Sequence, residues 1–102
     1  MISRKNLRWD RVSDGLKDAI YLIELMMQNR GRSVSLNRVR QDKEGGIAVL
    51  FDGKMTRSDI KQCYLQFKDD YTDCNDYPAR VFADTNQTEF YLNPNRYFYL
   101  AK

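Results

Sequence analysis

A chain of 102 residues, 42% hydrophobic and 30% charged, has room for a single core, and 13% aromatic content argues against disorder. It has no histidine, and its two cysteines, Cys63 and Cys74, have no CxxC spacing. That removes the usual Ser–His and Cys–His pairs and the common His- and Cys-rich zinc sites, and it weighs against a disulfide-stapled scaffold.

The formal charge of +3 is unevenly spread: residues 1–41 carry nine Lys/Arg against four acids, and residues 42–102 carry eight against ten. Such asymmetry can steer the first half toward a polyanion or an acidic protein face. Residues 1–8 read as a basic lead-in without the apolar stretch of a signal peptide. The longest apolar run, Ala19 to Met27, is short for a membrane span and contains Glu24, so a cytoplasmic protein with no membrane partner is expected.

A helix is predicted to begin at Ser13, whose hydroxyl can cap free N–H groups, and to end near Asn29 before Gly31. Leu16, Ala19, Ile20, Ile23, Met26 and Met27 form its apolar stripe. Tyr21, Leu22 and Leu25 widen that stripe enough that a second copy of the chain is a candidate partner. Ser33 to Gln41 reads as a strand with Val34 and Leu36 inward. Strict alternation would also bury Arg38 and Arg40, so a bulge near Asn37 is expected to turn Val39 inward and the arginines outward. Asp42 to Gly46 is a hairpin turn, and Ile47 to Phe51 returns as a more central, continuously apolar strand.

Thr56 with Asp59 resembles a capping box, and Ile60, Cys63, Tyr64 and Phe67 follow at helical spacing; alternation of Cys63, Leu65 and Phe67 offers a competing strand. Residues 69–77 form a polar acidic loop closed by Pro78. Arg80 to Ala83 is a strand, Asp84 to Thr88 a turn, and a hairpin about Asn93-Pro94-Asn95-Arg96 closes the chain. Phe90, Leu92, Phe98 and Leu100 share the core face of that hairpin; Tyr91, Tyr97 and Tyr99 share the other. The expected fold is α+β, one domain over residues 1–102 in the order α-β-β-α-β-β-β, a mainly antiparallel sheet of about five strands with two helices on one face.

Catalytic candidates are few. Cys63 reads as a small core residue, and carboxylates around Cys74 disfavour a thiolate. Asp69, Asp70, Asp73 and Asp76 lack the ligand positions of a calcium loop, and no phosphate-binding glycine motif is present. No cofactor is expected. Ile47 to Asp52 followed by Gly53 and Lys54 resembles the strand-borne acid-x-Lys half of a PD-(D/E)xK nuclease site, with Asp42 as the second acid. The resemblance implies Mg²⁺ held by Asp42 and Asp52, with Lys54 placing the attacking water. It covers about a tenth of the chain. Asp42 lacks the preceding proline and Gly53 replaces an apolar residue; the alternative is a turn leaving a buried strand.

Two surfaces remain. Arg4, Lys5, Arg8 and Arg11 surround Trp9, and Arg30, Arg32, Arg38 and Arg40 flank the first strand, a composition suited to phosphates and base stacking. Tyr91, Tyr97 and Tyr99 suit a protein interface. The expectation is a small non-enzymatic protein that docks on a larger protein or nucleoprotein complex and modulates it, most simply as an inhibitor or adaptor. Phage-encoded antagonists of host machinery are built on this scale, an analogy of size and type. Nucleic-acid binding through the basic half is the first alternative and the metal-dependent nuclease the second.

Overall fold

The computed structural model describes residues 4–43, 45–65 and 79–92. Five antiparallel strands form one sheet in the order β1-β2-β3-β5-β4: β1 (Arg4–Asn6), β2 (Ser35–Asp42), β3 (Ile47–Asp52), β4 (Ala79–Phe82) and β5 (Gln87–Leu92). Two helices, α1 (Asp14–Asn29) and α2 (Arg57–Leu65), complete this mixed α+β fold. Among the described residues no helix is long and apolar enough to cross a membrane.

The basic lead-in is a correction. Arg4–Asn6 pairs antiparallel with Asp42, Gln41 and Arg40 as an edge strand, and Leu7 N–H extends the pairing to the Val39 carbonyl at 2.8 Å. Three charged or polar residues show no hydrophobic period, so the pairing was invisible to pattern, although basic residues are what edge strands carry. The element order among the described residues is therefore β-α-β-β-α-β-β, with a single 3-10 turn at Trp9–Arg11 before α1. The second half of the predicted closing hairpin lies outside the described residues.

Ser13 caps α1 as expected, accepting a hydrogen bond from Leu16 N–H at 3.2 Å. The helix ends in a Schellman arrangement: Arg32 N–H reaches the Met27 carbonyl at 2.8 Å and Gly31 N–H the Gln28 carbonyl at 3.1 Å, with Gly31 at φ 77°. The capping box of α2 also forms: Asp59 N–H donates to Thr56 Oγ1 at 3.2 Å, and Thr56 N–H to Asp59 Oδ2 at 2.9 Å. Residues 57–65 are thus helix, with Ile60, Cys63 and Tyr64 fully buried.

The bulge sits where the charge argument put it. The β2–β3 register shifts between Leu36 and Arg38, which leaves Val39 opposite Val49 on the core face and Arg38 and Arg40 on the other. The core lies between the helices and one face of the sheet. Leu16, Ala19, Ile20, Ile23 and Met27 of α1 pack with Val39, Val49, Phe51, Phe90 and Leu92, and with Ile60, Cys63 and Tyr64 of α2. The Phe51 and Phe90 rings meet edge to face with centroids 5.7 Å apart.

Candidate functional site

Strand alternation places Arg4, Arg38, Arg40, Leu50, Asp52, Glu89, Arg80 and Tyr91 on the sheet face opposite the helices. Four of these are bound into one arrangement. Arg40 Nη2 donates to Glu89 Oε2 at 2.7 Å, Tyr91 OH donates to Glu89 Oε1 at 2.8 Å, and the Arg4 guanidinium lies 5.3 Å from the Tyr91 ring centroid. The acid is buried, 3% exposed. Burial, the Glu89 hydrogen bond and the Glu89 charge together raise the Tyr91 phenol above its usual pKa, against the pull of Arg4 and Arg80. The tyrosine therefore stays a donor, and Glu89 accepts from two groups while a third stacks beside them.

Around this centre, Arg80 stands opposite Glu89 with its guanidinium 5.3 Å over the Phe82 ring. At one end of the face Asp52 accepts from Asn37 Nδ2 at 3.1 Å and Gln87 Nε2 at 2.8 Å. Those two bonds, Gln87 first, hold the Asp52 carboxyl below its ordinary pKa. The face is thus of mixed charge: Arg40 is held by Glu89, Arg4 and Arg80 lie over aromatic rings, and Asp52 is held by two amides.

The nine predicted basic-surface residues fall into separate places. Arg4, Arg38 and Arg40 share the sheet face with Tyr91. Lys5 projects at the β1 edge toward the helix side, opposite Gln41. Arg8, Trp9 and Arg11 belong to the turn before α1; Arg8 Nε pairs with Asp10 at 3.4 Å, and Lys17 Nζ lies 5.3 Å over the half-exposed Trp9 ring. Arg30 and Arg32 follow the far end of α1, a 16-residue helix spanning ~24 Å. Both bind Asp59, Nε to Oδ1 at 2.7 Å and Nε to Oδ2 at 3.0 Å. Tyr97 and Tyr99 lie outside the described residues.

Asp42 and Asp52, the two acids of the nuclease resemblance, stand at opposite ends of the β2–β3 hairpin, Asp42 at the end of β2 beside Gly46 and Asp52 at the end of β3 opposite Ser35. Six strand steps, from Gly46 to Asp52, separate them by ~20 Å, and Asp42 instead accepts Gly46 N–H at 2.8 Å. Lys54 is exposed beside the strand end. Cys63 is buried among core residues, and burial with the nearby Asp59 charge pushes its thiol up to about 12 against a smaller opposing effect of Arg30.

Glu89 and Asp59 organise these clusters, and neither was singled out for that role from sequence. Glu89 had a readable signal, since it shares parity with Tyr91 in a strand whose other parity is apolar. The Asp59 signal was only its cap position; its arginines lie 27 and 29 residues away. The chain matches no family model, no curated protein and no solved structure.

Proposed function

We propose that this chain is a non-catalytic binding protein that docks on a larger protein, or on the protein part of a nucleoprotein complex, through the helix-free face of its sheet and modulates that target. The observation that carries the reading is the Arg40–Glu89–Tyr91–Arg4 arrangement at the centre of that face. Arginine and tyrosine are the residue types that dominate protein hot spots, and here they are held in place before any partner arrives, which lowers the ordering cost of binding. Asp52, Asp42 and Glu89 alternate with Arg4, Arg38, Arg40 and Arg80 across the face. Such mixed charge suits a protein surface offering carboxylates near Arg38 and Arg80 and a donor near Asp52; a polyanion asks for one sign.

The test is affinity capture from a matched extract with nuclease treatment, comparing wild type with Arg38→Glu/Arg80→Glu. Both residues are exposed, and because a glutamate at 80 would stand opposite Glu89, circular dichroism must show the variant folded before its loss of capture counts. A defined protein retained by wild type after nuclease and lost by the variant supports the reading. Retention by the variant removes this face from the interface. Recovery that disappears with nuclease replaces the reading with direct nucleic-acid binding.

A further inference from the structure

We infer that Arg30 and Arg32 form a second binding site, for a phosphate monoester, ordered in advance by Asp59. The site lies where α1 ends and α2 begins, away from the Arg40–Glu89–Tyr91 arrangement, and does not rest on the function proposed for that face. Asp59 is fully buried, and both oxygens are occupied: Oδ1 by Arg30 Nε, Oδ2 by Arg32 Nε and Thr56 N–H. One arginine fork suffices to pair a buried carboxylate. Two are present, each bound to Asp59 through Nε, and their side chains remain 38% and 40% exposed. Among the described residues the outer edges of both guanidinium groups are left for another acceptor; Arg30 Nη2 makes only a 3.5 Å contact with Ser58 Oγ there.

The pair carries two positive charges against one negative, and its side chains are already fixed by the carboxylate behind them, so little rotamer freedom is lost when an anion arrives. The Schellman turn at Gly31 sets Arg30 and Arg32 side by side. Beside Arg32 opens a polar cleft of about 450 Å³ lined by Glu24, Gln28, Gly31, Arg32, Ser33 and Val34. This gives room for the ester remainder. Glu24 bounds it with Oε2 accepting Leu36 N–H at 3.3 Å, and its charge disfavours a second anionic group there. Two forks ask for several oxygens on one atom. A monoester has three unesterified oxygens and up to two charges, whereas a carboxylate or a phosphodiester has two oxygens and one charge.

The arginine Nε–Hε resonances read the site directly. Inorganic phosphate, O-phosphoserine, acetate and a thymidine oligonucleotide are titrated into the intact chain at constant ionic strength. The Arg30 and Arg32 signals and the Gly31 amide should move and saturate with phosphate and phosphoserine, and with acetate only at much higher concentration. Arg32→Lys, which keeps the charge and loses the fork, should weaken phosphoserine about tenfold. Because that change also touches the Asp59 contact, wild type decides: shifts that never saturate, or that acetate reproduces equally, overturn the site. Saturation by the oligonucleotide below the phosphoserine concentration overturns the monoester and makes the ligand a nucleic-acid backbone.

Discussion

Arg40 and Glu89, 49 residues apart in the chain, meet at 2.7 Å on the sheet face that neither helix covers. Glu89 is almost wholly buried while the Arg40 side chain is 27% exposed, so solvent screens only one partner. Glu89→Ala should leave the guanidinium without its acceptor and cost about 1–3 kcal/mol in urea denaturation, less than a fully buried pair would lose. Replacing both residues, as Arg40→Met with Glu89→Leu, should recover most of that loss. A double variant as unstable as the single one would show that Glu89 acts chiefly through Tyr91.

Asp59 makes four hydrogen bonds: two accepted from Arg30 and Arg32 tie the end of α1 to α2, and two exchanged with Thr56 cap α2. Asp59→Ala strips partners from two arginines and from Thr56 N–H, and should cost about 2–4 kcal/mol; Thr56→Ala, which loses one cap bond, should cost about 1 kcal/mol. Burial raises the Asp59 pKa, but the Thr56 backbone bond, the Arg30 bond, the Thr56 hydroxyl and the Arg32 charge outweigh it and leave the pKa lowered. A depressed folded-state pKa means this stability is present above the unfolded value, ~3.9, and is lost as pH falls through the lower folded value. Wild type should therefore lose stability below about pH 4 more steeply than Asp59→Asn, as followed by circular dichroism.

The bulge at Asn37 was legible because strict alternation would have placed Arg38 and Arg40 in the core, a cost no local propensity offsets. Its removal is the corresponding test. Deleting Asn37 takes out the extra residue and leaves Val34, Leu36, Val39 and Gln41 on the helix side and Arg38 and Arg40 on the other in unbroken alternation. The deletion should therefore fold, at a cost of about 1 kcal/mol in urea denaturation for the lost Asn37–Asp52 contact; an unfolded variant would mean that the bulge is needed for more than the placing of side chains. Asn37→Ala keeps the register and loses only the exposed bond to Asp52, so about 0.5–1 kcal/mol is expected. β1 and the Asp59–arginine contacts were not legible, for a shared physical reason. Both join polar residues distant in sequence, and polar side chains leave no periodic trace of where their partners lie.

Gly31 and Gly53 both have positive φ, 77° and 124°, yet their surroundings differ. A Cβ on Gly31 would meet nothing within 4 Å, whereas one on Gly53 would collide with the Ser33 carbonyl oxygen and with Val34. Gly31→Ala should cost about 1–2 kcal/mol, the price of a left-handed residue. Gly53→Ala should cost more than that, since backbone must move as well, and should disturb the Gly53 N–H bond to the Asn86 carbonyl at 2.8 Å. Thermal melts of the two variants give the comparison, and equal losses would mean that the Ser33–Val34 segment yields freely.

Thr88 faces the core opposite Phe51, fully buried, and its Oγ1 has no hydrogen-bond partner among the described residues. A buried hydroxyl without an acceptor has given up water for nothing, while its β-branched shape still fits a strand. Thr88→Val keeps the branch and replaces the hydroxyl by a methyl of similar size. The substitution should stabilise the chain by about 0.5–2 kcal/mol, within the range for removing an unsatisfied polar group. Thr88→Ser keeps the hydroxyl but removes the methyl, and should destabilise by about 1 kcal/mol through lost packing. If valine instead destabilises, the hydroxyl is being satisfied in solution by a buried water, and a crystal structure at high resolution would show that water beside Phe51.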